Sequence, residues 1–356
     1  MTDHRLASGK GKQLVLLCLA GIAFVLAIGA AVAWQRGWLS PDRAEAGRLI
    51  DALETQYGKH PGFRRNHAKG VCFTGWFDSN GAAAGLSRAV VFGRGRVPVF
   101  GRLALNGGVP ARPDGPDTER SMAVNFILPN GEAWRIGLNN MAVFPVRDVQ
   151  GFYDVTVALA PDPATGKPDP ARIQAVLAAH PETARALALL KQAPLASGFA
   201  NDTYNSLNAF RLIDSAGKAS AVRWSLRPVD TFEAAPSWTP VDRNYLFEAL
   251  AARLQRGPAQ WQLVLTIAAP GDPTDDATVA WPAERPTIDA GTLAITALES
   301  EAAGNCRDVN FDPLVLPTGI EPSDDPLLRA RSAAYAVSLA RRSGEPKTPS
   351  AVQLGK

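Results

Sequence analysis

The sequence predicts an α+β fold: antiparallel strands with appended helices, behind one N-terminal helix that spans a membrane. Three observations carry that prediction. An uncharged run from Leu14 to Trp34 is long enough to cross a bilayer. Short segments that alternate apolar and polar residues, such as Val71, Phe73 and Gly75 against Cys72, Thr74 and Trp76, are separated by turn residues, as in half-buried antiparallel strands. A stretch near the C-terminal end, Ser323 to Tyr335, opens with helix-start residues and runs on at helical spacing. A length of 356 residues bounds the chain to one large domain or two small ones, and 46% apolar with 20% charged residues is ordinary for a globular protein. A net charge of +3, with no basic run interleaved with aromatics, excludes a nucleic-acid-binding protein. No Cys/His spacing suits a metal site, and no internal repeat is present.

His4, Arg5, Lys10 and Lys12 precede the apolar run. About 21 helical residues at ~1.5 Å each give ~30 Å, the thickness of a hydrocarbon core. Positive charge ahead of the run holds the N-terminus in the cytoplasm and sends the remainder across. Ala31-Val32-Ala33 also fits a signal-peptidase site. The length of the run favours an uncleaved anchor over a cleaved signal, and either places the body of the protein outside the cytoplasm. The expected partition is a cytoplasmic tail (1–13), an anchor (14–34), a linker (35–41), a folded body (42–345) and a disordered Pro/Ser/Lys-rich tail (346–356).

Within the body, Asp42 to Tyr57 reads as an amphipathic helix, with Leu49, Ile50, Leu53 and Tyr57 on one face. Strands are expected around Val71–Phe77 and Arg120–Phe126. Gly137–Asp148 contains an Asn-Asn pair in turn-like surroundings. Pro161–Lys191 reads as a loop and a helix pair, the second opening at Pro181. Tyr204–Gly217 and Ala219–Arg227 read as a hairpin joined at Ala216-Gly217. A helix over Arg243–Leu254, a strand over Gln260–Ala268, a Pro/Asp-rich loop, and strands over Leu293–Ser300 and Asn305–Phe311 come next. Ser323 is expected to cap the last helix, which begins at Asp324, Asp325 and Pro326.

Arg331 and Tyr335 are four apart and share a face of that helix. A phenol beside a guanidinium ionises more readily, because the cation favours the phenolate. A phenolate is a hard anionic ligand suited to ferric iron. The segment Phe-Asp-Pro, Pro-x-Gly-Ile-Glu, Arg-x-x-x-Tyr from Phe311 to Tyr335 resembles the haem catalases, whose proximal ligand is such a Tyr with an Arg one turn before it. His67-Ala68-Lys69-Gly70, followed by Gly75-x-Phe77, is similar to the distal-histidine strand of the same family.

The resemblance implies that the strands close into an antiparallel barrel around haem, most naturally haem b, with Tyr335 as the metal ligand and Arg331 keeping it ionised. It implies that His67 is the distal base, and that Asn139, the first of the Asn pair, holds peroxide without offering a competing proton. It places Arg64 and Arg102 on haem propionates, and Phe144 and Phe152 as distal aromatics. The sequence departs from the large catalases at Ala104, where they carry a Ser that hydrogen-bonds the distal His. His67 is therefore expected to need another partner, water or a backbone carbonyl. The large catalases continue with a helical domain that this chain is expected to lack. The implied whole is a membrane-anchored, small catalase-related peroxidase of the periplasmic face of the inner membrane, acting on peroxide with an unidentified electron donor. A fatty-acid hydroperoxide isomerase on the same scaffold, and a non-enzymatic haem carrier or sensor, stand as alternatives. Because the first and last strands of such a barrel close on each other, Cys72 and Cys306 are expected within disulfide reach.

Overall fold

The computed structural model describes Gly21 and residues 45–237 and 242–354. The expected anchor, cytoplasmic tail and linker lie outside the described residues, Gly21 excepted. Among the described residues no helix is long and apolar enough to cross a membrane. Ala46–Lys356 form one compact unit.

Its strands are β1 (Gly70–Ser79), β2 (Gly95–Leu105), β3 (Arg120–Ile127), β4 (Ala133–Asn139), β5 (Tyr204–Asn205), β6 (Phe210–Ile213), β7 (Ala219–Pro228), β8 (Ala259–Ile267), β9 (Thr287–Glu299) and β10 (Ile320–Pro322). All pairings are antiparallel. β1 to β5 pair in sequence order, and β9 lies on the other side of β1. β7 meets β5 and β6 on one side and β8 on the other. Closure through β8, β9 and β1 makes an eight-stranded barrel in which β5 and β6 act as one interrupted strand. Inside it Trp134 stacks on Phe126 at 4.7 Å between ring centroids and meets Phe92 and Trp224 edge-on. Closure leaves no open edge on these eight strands, so their backbone polar groups are paired without a covering partner.

The helices are α1 (Ala46–Tyr57), α2 (Val149–Ala158), α3 (Pro170–Ala179), α4 (Pro181–Gln192), α5 (Tyr245–Leu254) and α6 (Pro326–Ser343). Leu49, Ile50 and Leu53 of α1 bury against Ala334 of α6, with Phe152 of α2 beside them. Two turns beyond Ala334 on α6, Arg341 extends the same contact through ion pairs with Asp51 and Glu54 of α1. Asp148 caps α2, its carboxylate accepting from the Gly151 N–H at 2.9 Å.

Four expectations are corrected. The cap of α6 is Asp325, which accepts from the Leu327 N–H, while the Ser323 hydroxyl donates to the Thr274 carbonyl. Tyr204–Gly217 is not one strand: it breaks between β5 and β6, where Leu207 takes a positive φ and Ser206 bonds to the backbone of Asn208. Asn305–Phe311 is no strand but a 3-10 turn over Cys306–Asp308, because the Asn305 side chain satisfies the N–H groups of Ala302 and Arg307. The C-terminal tail is ordered through Leu354: Val352 is fully buried in the main core and the Leu354 N–H donates to Ser300.

Cys72 and Cys306 form a disulfide with Cα atoms 5.6 Å apart across 234 residues of sequence. The partner of β1 at the barrel seam is β9, and the turn after β9 folds Cys306 back over Cys72. Closing so long a loop removes freedom chiefly from the unfolded chain. Cys72→Ser is expected to lower stability by about 2–5 kcal/mol. Denaturant titration with and without reductant checks it: reductant should destabilise the wild type and leave the variant unmoved.

Candidate active site

β2, β3 and β4 run side by side in a register that pairs Ala104 with Ser121 and Ser121 with Asn139. Directly opposed residues of antiparallel strands project to the same face. Ala104, Ser121 and Asn139 therefore form a row, and all three line one cavity. Gly70 opposes Ala104 at one end of the row and Asn205 opposes Asn139 at the other. Gly70 is forced there: a Cβ would lie 2.5 Å from the Leu103 carbonyl and 2.6 Å from the Arg102 guanidinium.

His67 stands in the loop just before β1 with a positive φ of 54°. That backbone is costly for a non-glycine residue and is held by the Asn66 side chain, whose oxygen accepts from the N–H groups of His67 and Gly107. The next motif residue with charge, Lys69, is buried away from the cavity and donates to Asp114, Arg112 and Arg243. Its task is to tie three loops together. The His67 ring faces the cavity, and its Nδ1 lies 3.2 Å from the Ser121 hydroxyl. The expectation that His67 lacks a side-chain hydroxyl partner is therefore overturned: the hydroxyl comes from the neighbouring strand. Burial, reinforced by Arg102, Arg331 and Arg64, lowers the His67 pKa to about 3, so the ring is neutral throughout the physiological range.

Phe144 and Phe152 stack with centroids 5.9 Å apart and line the same cavity. Phe144 is pinned by its N–H to the Ala277 carbonyl, and Phe152 is carried in by the capped first turn of α2.

Arg331 and Tyr335 of α6 line the same cavity. Arg331 Nη2 reaches the Tyr335 hydroxyl at 3.5 Å and the Gly137 carbonyl at 3.4 Å. A side chain at Gly137 would begin 3.2 Å from that guanidinium, so the glycine leaves it room. Arg331 Nη1 donates to the Asn208 side chain, which itself donates to Asp325, the cap of the same helix, at 2.7 Å. The break between β5 and β6 thus has a purpose: it turns Asn208 inward, 1% exposed, against α6.

A third group of residues is cationic. Arg64, Arg102 and Arg342 all line the cavity. Arg102 donates to Glu301 at 2.6 Å and Arg64 at 3.1 Å, and Arg64 also donates to the Cys306 and Val309 carbonyls. Burial alone would raise the Glu301 pKa, but Arg102 and Arg64 hold it below the usual carboxylate value. Among the described residues, Arg342 bonds only the Val309 carbonyl, and its Nε is buried with no partner. Burial and the neighbouring Arg102 push its pKa down to about 10. Among the described residues, the three guanidiniums have one hydrogen-bonded carboxylate between them, Glu301, and such a wall attracts further anionic oxygens.

All eight residues singled out from the sequence, His67, Asn139, Arg64, Arg102, Phe144, Phe152, Arg331 and Tyr335, line this single cavity. Sequence reasoning missed Ser121, Asn208, Glu301, Arg342 and Glu119. Arg342 was within reach, since it lies seven residues after Tyr335 and so two turns along the same helical face. Glu119 was not: its half-buried carboxyl lines the cavity with no hydrogen-bond or ion-pair partner among the described residues. Burial raises its pKa to about 7, against an ordinary value near 4.5. Between those two values the folded protein holds a proton that the unfolded chain releases, so the Glu119 contribution to stability falls as pH rises through that window. Glu119→Gln is expected to gain stability relative to wild type at pH 8 over pH 5, measured by denaturation at both. Equal differences at the two pH values would contradict it.

The chain matches the Catalase family model over residues 47–348. It is 36% identical to a catalase-related peroxidase of Synechococcus elongatus, covering 92% of this chain and 96% of that protein. A catalase-related peroxidase of Mycolicibacterium paratuberculosis is 35% identical over 86% of this chain and 96% of its own length. The match to a Pseudomonas syringae catalase is weaker, at 28% identity, and takes in 57% of that longer protein. Among solved structures, a bacterial catalase superposes with a TM-score of 0.71 at 20% identity, covering 80% of this chain and 58% of that one, and shows the same fold. The family model and the two near-full-length relatives place this chain in the catalase family, among its catalase-related peroxidases.

Proposed function

We propose that the chain is a haem-dependent peroxidase that reduces hydrogen peroxide or organic peroxides, tethered by its N-terminal helix with the body on the periplasmic side of the inner membrane. It is an oxidoreductase with peroxide as the electron acceptor. One observation carries the reading: an Arg-supported tyrosine, a neutral histidine and three further arginines line a single cavity. The donor set fits a haem. Tyr335 would offer its phenol oxygen to the iron, and Arg64, Arg102 and Arg342, the last with an Nε that has no partner among the described residues, would offer N–H groups to two propionates. The Phe144–Phe152 pair offers apolar faces to the macrocycle. Haem b is the form that needs nothing more from the protein than these contacts.

Bound there, a haem supplies the iron chemistry that splits the O–O bond. The chain's own residues handle protons and position. His67, neutral because of burial and three nearby guanidiniums, accepts a proton from one peroxide oxygen and returns it to the other, which leaves as water. The Asn139 amide holds the peroxide by hydrogen bonding and brings no ionisable proton of its own. Arg331 reaches the Tyr335 hydroxyl, and the Asn208–Asp325 relay keeps Arg331 from swinging away. An electron donor then completes the two-electron reduction to water. A carrier or sensor would require neither His67 nor Asn139 in the cavity. The uncharged run Leu14–Trp34 supports the tether, and the Cys72–Cys306 disulfide supports an oxidising compartment.

The test is the optical spectrum of the purified protein, with peroxide consumption, donor oxidation and oxygen release followed together. A haem spectrum with peroxide-dependent donor oxidation is expected, and protein that purifies without haem and cannot be loaded would overturn the reading. His67→Ala should retain haem but react with peroxide on the order of 10²-fold more slowly, the usual size of a lost general base. Stopped-flow rates equal to wild type would remove His67 from the mechanism. Tyr335→Phe should alter the ferric spectrum and weaken haem retention, read by haem loss to a competing apoprotein; an unchanged spectrum and loss rate would refute Tyr335 as the ligand.

A further inference from the structure

The distal row contains one hydroxyl, and it is not where the resemblance to the large catalases places it. Ala104 and Ser121 oppose each other across β2 and β3, face the same way and line the same cavity. The Ser121 Oγ lies 3.2 Å from His67 Nδ1 and 3.5 Å from the Ala104 carbonyl. These two contacts are directional. A backbone carbonyl only accepts, so a hydroxyl that gives its hydrogen to Ala104 must itself accept from the ring.

We infer that Ser121 is a positioning residue for His67: it accepts from Nδ1–H, passes its own hydrogen to the Ala104 carbonyl, and so fixes the tautomer in which Nε2 carries the lone pair. A histidine base works through the nitrogen that lacks a proton, and the partner of the other nitrogen decides which one that is. Without Ser121, neutral His67 would divide between two tautomers and its ring would be free to rotate on an already strained backbone. A transfer of the hydroxyl from one strand to the next along a row keeps it on the same face, about 4.5–5.5 Å away between Cβ atoms. Position 104 can then be Ala without loss of the hydrogen bond.

This inference rests on the proposed haem-peroxidase reading, and its test separates the two. The probe is cyanide, which reaches a ferric centre as HCN and binds as the anion after a base takes its proton. Its association rate with the purified, haem-loaded protein therefore reports on the His67 base without any turnover. Ser121→Ala is expected to slow association by roughly tenfold, as outer partners of functional histidines commonly do, with an unchanged resting spectrum and unchanged circular dichroism. Ser121→Thr, which keeps the hydroxyl, should retain most of the wild-type rate. The double variant Ala104→Ser/Ser121→Ala moves the hydroxyl back across the strand pair and should recover the rate, which a merely structural loss at position 121 would not permit. A wild type whose spectrum does not respond to cyanide would refute the haem reading itself. A responsive wild type with a Ser121→Ala rate equal to its own, or a double variant as slow as Ser121→Ala, would overturn the assignment of Ser121 alone.

Discussion

Antiparallel register decides which residues of separate strands meet, and in this barrel it sets Gly70, Ala104, Ser121, Asn139 and Asn205 on one row. A slip of a single residue in any of these ladders would turn that strand's side chain to the other face. The hydroxyl beside His67 and the amide of Asn139 would then leave the cavity together. Closure of the barrel protects the register, because no strand of the eight is free to slide along an open edge. The distal side of the site is thus built into the hydrogen-bond ladder rather than added on loops. His67 is the exception, and the strain in its backbone is offset by the double acceptance of Asn66.

The proximal side depends on charge and on a broken strand. Arg331 is braced by Asn208, and Asn208 by the carboxylate that caps the same helix. The helix start, the guanidinium and the tyrosine are therefore one mechanical unit. An uninterrupted strand over 204–213 would leave Asn208 in a ladder, unable to reach α6. The arginine wall joins the two sides. Arg64 leads from the distal loop to Glu301 and to the carbonyl of Cys306, and Cys306 is bonded to Cys72 in β1. The disulfide and the shared carboxylate hold the turn after β9 against the strand that comes after His67. That arrangement concentrates cations where desolvation makes them costly, as the lowered pKa values of Arg64 and Arg342 show. Anionic oxygens in the cavity would relieve the cost.

The sequence by itself determined the elements and the chemistry-bearing residues that local rules govern. The Arg331/Tyr335 pair followed from a four-residue spacing, the strand around Val71–Phe77 from alternation, and the second helix of a pair from its opening at Pro181. The cysteine pairing followed from resemblance and was met, though by a turn rather than the expected strand. Local signals misled where a side chain competed with the backbone: Asn305 converted a strand pattern into a turn, and Ser206 with Asn208 broke another. The tail around Val352 read as disordered because its composition is polar, yet one valine and two hydrogen bonds to its neighbours anchor it.

Only the tertiary structure decided which residues from distant segments share the cavity. Nothing in the spacing of Ala104 and Ser121 says that they oppose each other, so the loss of a hydroxyl at one position and its presence at the other could not be read as one fact. Glu301 is 199 residues from Arg102 in sequence, and Asn208 is 123 from Arg331. Periodicity carries information over a helical turn or a strand; hydrogen bonds and ion pairs act over about 3 Å, whatever the distance along the chain. Contacts of that kind exist only once the barrel has closed, and they set the charge balance and the hydrogen-bond partners around the residues that the sequence had named.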